Sequence, residues 1–228
     1  MGERMGYIKY LGHSSFELGL EDSVIYVDPF FSEGYIKNYP RAIPPAIRAS
    51  EIKSADLIFV THEHPTHCEK ETIQEVVERT YATVVAPKPA LSMLAISDRF
   101  KVDVRVGDSF TVKNVDVEVV NAMHPQSAYP VGYVIKRGGK SIYHAGDTYE
   151  FSGMMGIKAD YSLIPIGGVY TMDPIGAQKA CRELQTRFVI PMHYNTYERI
   201  KQSPEEFAKD VGTRVKPIIM RVGAEKEI

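Results

Sequence analysis

Leu57-Ile58-Phe59-Val60-Thr61 is a continuous apolar and β-branched run that leads straight into His62-Glu63-His64-Pro65-Thr66-His67. A short run of this kind reads as a strand covered on both faces, so the chain must supply layers on either side of a sheet. In extended backbone, residues i and i+2 share a face, so His62 and His64 point the same way and Glu63 points opposite. Pro65 holds His64 extended and delays the start of a helix. Thr66, three residues before Glu69, is predicted as the N-cap of a capping box. His67 would then sit in the first helical turn, facing back towards His62 and His64, with the neighbouring Cys68 turned away. Neutral imidazole is a preferred ligand of Zn²⁺, Fe and similar metals, so three histidines at one strand end predict a metal cluster.

The 7 histidines of the chain are His13, His62, His64, His67, His124, His144 and His193. Several of them directly follow a β-like run, the place where sheet enzymes carry their ligand loops. The 228 residues suit one domain over 1–228, and 44% hydrophobic with 25% charged residues predicts a folded core. With 27 Lys plus Arg against 29 Asp plus Glu, the net charge of -2 leaves no excess of positive charge to neutralise a phosphate backbone, so no nucleic-acid partner is expected. The longest apolar runs fall far short of the roughly 20 residues of a membrane span. Met1 to Leu11 has no apolar core of a secretory signal, so the expected compartment is the cytoplasm. Cys68 and Cys181 are expected to be free thiols in a domain too large to need a disulfide.

Strands are predicted near Tyr7 to Leu11, Ser14 to Leu18, Val24 to Asp28, Leu57 to Thr61 and Thr83 to Ala86. Others follow near Val102 to Val106, Phe110 to Val112, Asp116 to Ala122, Val131 to Lys136, Ser141 to Ala145, Tyr161 to Pro165 and Phe188 to Pro191. Gly138-Gly139 marks a tight hairpin, because both positions can take positive φ. Helical spacing covers Glu69 to Thr80, Pro89 to Ser97, Pro174 to Gln185 and Pro204 to Asp210. Asp173 and Ser203 stand as N-caps before a proline. Meanders mixed with strand-helix alternation predict two sheets covered by helices, an α/β layered architecture. The Pro-rich stretch from Tyr35 to Ser50 reads as a surface loop, either a wall of the site or a plain connection.

The cluster resembles the HxHxDH signature of the metallo-β-lactamase superfamily, and further matches follow in that family's order. They are His124 in Ala122-Met123-His124-Pro125, Asp147 in His144-Ala145-Gly146-Asp147-Thr148, and His193 after Ile190-Pro191-Met192. Leu11-Gly12-His13-Ser14, Asp28-Pro29-Phe30 and Pro165-Ile166-Gly167-Gly168 make the chain most similar to small cytoplasmic metal-dependent hydrolases related to ascorbate-6-phosphate lactonase. The resemblance implies a four-layer αββα sandwich with metals at one edge of the sheets. It implies that His62, His64 and His124 bind one metal, that His67 and His193 bind a second, and that Asp147 bridges both. One or two divalent ions are expected per chain, with Zn foremost and Mn, Fe or Ni compatible with the same ligands.

Thr66 stands where the family has aspartate. It can cap a helix but supplies no charge, so the second site is expected to bind more weakly than the first. The implied reaction is hydrolysis of a small, anionic ester, lactone or phosphodiester. A metal brings the pKa of bound water from about 16 to about 7 and makes hydroxide the nucleophile. Asp147, His13 and Thr66 occupy the catalytic positions, and His13, His144 and Tyr170 are the candidate proton donors. His13 can equally be a ligand-supporting or substrate contact, or a plain structural hydrogen bond. His144 reads as packing, and Asp28 either orients ligands or forms a turn. The glycine-rich Ile166 to Thr171 loop could offer amides to an anion. The alternative function is a metal-binding or ligand-sensing protein without catalysis, and a homo-oligomer is compatible with either.

Overall fold

The computed structural model describes residues 6–32 and 40–228; of the predicted loop from Tyr35 to Ser50, residues 35–39 lie outside the described residues. The strands β1 (Tyr7–Gly12), β2 (Ser15–Leu20), β3 (Ser23–Val27), β4 (Leu57–Phe59), β5 (Thr83–Ala86) and β6 (Lys101–Asp103) form one sheet in sequence order. A second sheet holds β7 (Ser109–Val112), β8 (Val115–Asn121), β9 (Val131–Arg137), β10 (Lys140–His144), β11 (Lys158–Pro165), β12 (Gln185–Met192) and β13 (Lys216–Pro217). The chain then returns through β14 (Glu225–Glu227), which pairs antiparallel with β1. In each sheet an antiparallel meander gives way to parallel pairing, from β3 onward in the first and from β10 onward in the second. Parallel neighbours require crossovers, and these deliver helices to the outer faces.

The helices are α1 (Lys70–Thr80), α2 (Lys88–Leu91), α3 (Pro174–Glu183) and α4 (Pro204–Ala208). Alternation along the strands sorts side chains between two interiors. Leu57, Phe59, Ile25, Val27 and Val85 join the core between the sheets. Their neighbours Ile58, Val60, Tyr26, Val84 and Ala86 face outward into a second core with Ile73, Val76 and Val77 of α1. On the far side, Ala177, Ala180 and Cys181 of α3 and Phe207 of α4 join the core with the second sheet. The result is the αββα order of layers, with the fully apolar run at Leu57 explained by burial on both faces. Among the described residues, no helix is long and apolar enough to cross a membrane.

The Gly138-Gly139 hairpin forms as expected, with φ of 58 and 70 and Arg137 paired to Lys140. Several boundaries differ. The strand at Leu57 ends at Phe59, because the amide of Thr61 leaves the ladder to donate to Asp28 Oδ1 at 2.8 Å. The helix over Pro89 to Ser97 is reduced to a single turn. There the Ser92 hydroxyl bonds back to the Lys88 carbonyl, and the Ala95 amide turns aside to Gln74 Oε1.

The predicted capping box is absent. Glu69, the residue before α1, accepts from the amides of Phe31 and Ser32 and from the Thr72 hydroxyl, so its carboxylate ties down another loop. His67 and Cys68 therefore lie ahead of the helix, in a tight turn closed by the amides of both on the His64 carbonyl at 2.9 and 2.7 Å.

Candidate metal centre

Asp28, His13, the 62–67 turn, His124, Asp147 and His193 all follow the last residue of a strand, at one edge shared by the two sheets. Carboxyl ends of strands are where an α/β sheet leaves its loops free to converge. Asp147 reaches the middle of this edge because Gly146 turns with φ +61 and presses against Thr61, where a Cβ would come within 2.9 Å of the Thr61 Cβ. No residue with a side chain fits that contact.

The Asp147 carboxylate is buried and faces both ways. Its Oδ1 lies 3.3 Å from Nε2 of His67 and 3.3 Å from Nε2 of His193. Its Oδ2 lies 3.9 Å from Nε2 of both His62 and His124. Two candidate donor groups result, one of His62, His64, His124 and Asp147 and one of His13, His67 and His193, each with ligand atoms within 4.8 Å of one another. The structure thus brings all of the predicted ligands together and adds His13 to them.

Ring orientation follows from what the other nitrogen does. Nδ1 of His67 donates to Asp28 Oδ2 at 2.7 Å. The Thr61 hydroxyl donates to the same oxygen at 2.7 Å and accepts from Nδ1 of His62 at 3.0 Å. Nδ1 of His124 donates to the Tyr170 carbonyl at 3.0 Å, and Nε2 of His64 donates to the Gln126 carbonyl at 3.2 Å. Each of these bonds spends a proton on one side of a ring and leaves a lone pair on the side facing Asp147. Asp28 is therefore the residue that aligns the cluster, holding His67 directly and His62 through Thr61. Its own backbone is left-handed, with φ 46, and is held there by the Asp28 amide bonding to the Phe59 carbonyl at 2.9 Å.

The residues fit a metal. Nε2 of His13, His62 and His67 and Oδ1 of Asp147 are buried without a hydrogen-bond partner among the described residues. An unsatisfied buried polar group costs roughly 1–3 kcal/mol, and a cation would satisfy all of these at once. Electrostatics point to the same spot. Burial opposes a charge on His67, yet the carboxylates of Asp147 and Asp28 outweigh it and raise the pKa to about 10. Asp147 is held well below the usual carboxylate range, with burial opposing and His193 and His67 prevailing. Burial and neighbouring imidazoles push His13 and His62 well down, and burial lowers His124. Neutral rings at His13, His62 and His124 beside a retained carboxylate suit metal ligation, and at His67 an entering cation would take the place of the proton that the two carboxylates hold.

A cavity of about 180 Å³ opens over this edge, lined by His64, His124, Asp147, Tyr170, Tyr197 and Arg199 among others. A wider cleft of about 990 Å³ lies behind His13, between Arg41, Tyr194 and Arg221, and does not contain the Asp147 edge.

Thr66 lines the cavity but belongs to neither donor group. Glu63 points away, as alternation requires, and accepts from Ser127 and the Ala128 amide. Cys68 is buried with its thiol turned to Ala90, and burial raises its pKa to about 12. His144 is fully engaged, bonding through Nε2 to the Ser14 carbonyl and through Nδ1 with the Gly146 amide, which removes it as a proton donor. In the Ile166 to Thr171 loop, the amides of Ile166 and Gly168 are taken by the Met192 and Met172 carbonyls. The loop also supplies the Tyr170 carbonyl to His124.

Sequence reasoning missed Thr61, Thr196, Tyr197 and Arg199. The last three follow His193 within a few residues, so the post-strand position that singled out His193 was the available signal.

The family described as the β-lactamase superfamily domain matches residues 7–193. The chain belongs to the β-lactamase superfamily. A relative from Caldivirga maquilingensis named UPF0173 metal-dependent hydrolase is 37% identical over 230 residues, which cover 96% of each chain. A relative of the same name from Thermococcus kodakarensis is 36% identical over 234 residues, covering 97% of this chain and 99% of that one. Among solved structures, the metallo hydrolase Igni18 of Ignicoccus hospitalis superposes with a TM-score of 0.81 at 27% identity, covering 99% of both chains. The chain is an enzyme of this superfamily's metal-dependent hydrolase class.

Proposed function

We propose that residues 1–228 form one hydrolase domain that cleaves a small anionic ester, lactone or phosphodiester at a two-metal centre bridged by Asp147. The observation that carries this reading is the Asp147 carboxylate, with one oxygen 3.3 Å from Nε2 of His67 and His193 and the other 3.9 Å from Nε2 of His62 and His124. His62, His64 and His124 would hold one ion and His67 and His193 the other, with Zn, Mn, Fe and Ni all matching these donors. When bound, such ions polarise a substrate oxygen and acidify a water molecule.

The chain supplies the rest. Tyr197 lines the cavity with a buried hydroxyl that has no hydrogen-bond partner among the described residues. Burial raises its pKa above the ordinary tyrosine value, so it stays protonated and can donate to a leaving oxygen. Arg199, at the same cavity, suits an anionic substrate. The small cavity suits a small molecule. Every donor comes from one chain, so assembly is not needed to complete the centre. Two buried, unpaired thiols, Cys68 and Cys181, suit a reducing compartment such as the cytoplasm.

Two dications share a single carboxylate charge here, because Thr66 adds none. Whichever ion enters second meets the repulsion of the first with less compensation, so it is held more weakly. The test is hydrolysis of generic phosphodiester and lactone substrates with added Mn²⁺ or Zn²⁺, beside a His62→Ala control. Turnover in the wild type that the control lacks supports the enzyme. A wild type inactive with every metal and substrate would instead favour the non-catalytic binding protein that the neutral Thr66 suggests.

A further inference from the structure

The second group of donors has a gap. His67 and His193 share Oδ1 of Asp147, and Thr66 belongs to neither group. His13 stands beside that gap. Its ring centroid lies 4.1 Å from that of His193 and 5.6 Å from that of His67. It is 2% exposed, and its Nε2 has no partner among the described residues.

The protonation of His13 follows from its surroundings. The Thr196 hydroxyl lies 3.1 Å from Nδ1 of His13 and 3.5 Å from the Tyr194 carbonyl. A carbonyl can only accept, so with the hydroxyl proton directed to Tyr194 the oxygen can accept from Nδ1 of His13. That arrangement leaves the lone pair on the unpartnered Nε2. The backbone holds the ring there in a left-handed conformation, with φ 58, which is uncommon for a residue with a side chain. The His13 carbonyl accepts from the His193 amide at 2.7 Å and from the Tyr10 hydroxyl at 3.0 Å, which fixes that conformation.

We propose that His13 is the third protein ligand of the second metal site, supplying through Nε2 the donor that Thr66 lacks. This rests on the two-metal reading above and deepens it. His13 restores the number of donors but not the missing charge, so the second ion is retained and stays the weaker one. Both ions then have the same set, three imidazoles and one oxygen of Asp147.

The full chain, stripped with a chelator, is titrated with Zn²⁺ by calorimetry, and bound metal is counted by elemental analysis. The wild type takes up two equivalents. His13→Ala loses the second, or binds it at least about tenfold more weakly, and keeps the first unchanged. Adding Thr66→Asp to His13→Ala returns the second equivalent. Thr196→Val, which leaves the His13 side chain in place, weakens the second equivalent alone and serves if His13→Ala does not fold. A His13→Ala variant that binds both equivalents as the wild type does, with only KM altered, overturns the proposal, and so does a wild type that binds one ion. If His62→Ala also leaves both equivalents intact, the two-metal reading itself fails.

Discussion

The imidazole trio of His62, His64 and His124 and the trio of His13, His67 and His193 flank one carboxylate, yet they differ in access and in support. Both reach the same cavity, the first through His64 and His124 and the second through His13 and His193. The first is the more open, because His64 is only partly buried, and the outer ring nitrogens of His64 and His124 rest on backbone carbonyls. The second is the more closed, with all three rings buried, and its outer nitrogens at His67 and His13 rest on the side chains of Asp28 and Thr196. An ion in either can be reached from the cavity, and one in the second is framed by side chains on more sides. The lesson is that similar ligands become different tools through what stands behind them.

This contrast can be broken at four points. His62→Ala removes a donor from the open trio and is expected to abolish hydrolysis, measured as turnover at saturating metal; retained turnover would move the chemistry elsewhere. Tyr197→Phe is expected to lower kcat by about a hundredfold with metal content unchanged, since a general acid contributes roughly 10²–10⁴-fold. A fall in metal content instead would make Tyr197 structural.

Asp28→Asn touches both trios, because the same oxygen serves His67 and, through Thr61, His62. Ion affinity should fall roughly 10- to 100-fold at both steps of a titration. A loss at one step only would separate the trios that this residue links. The smallest effect is expected of Thr66→Asp, which gives the closed trio a charge. The second dissociation constant should tighten by about tenfold and the first stay put, an amount worth about 1.4 kcal/mol.

Legibility in the sequence divides along the same line. His62 and His64 are set by two-residue spacing at the end of an apolar strand, and the layered α/β fold followed from strand runs and their crossovers. His67 lies beside His62 and Asp147 as expected, but for a reason that did not hold. It sits in a turn built on the His64 carbonyl, while Glu69, expected to cap a helix, holds Phe31 and Ser32. That bond joins residues far apart in sequence, and local patterns carry no trace of it. The single turn of α2 was overcalled for a similar reason, since Gln74 captures an amide that the helix needed. His13 was noticed, but its place beside His193 depends on a contact between two different sheets.

That contact bears on how the molecule comes together and apart. His13 bonds to Thr196, 183 residues further along the chain, and its carbonyl takes the amide of His193. Contacts of such span form slowly, because the entropy of closing the loop is lost before the contact repays it. A cation joining His13, His67 and His193 would act as a cross-link across that loop, restricting the unfolded chain as much as it holds the folded one. The seam between the two sheets is therefore where stripping the ion should first loosen the protein, seen as faster amide exchange at β1 and β12 while α1 stays protected.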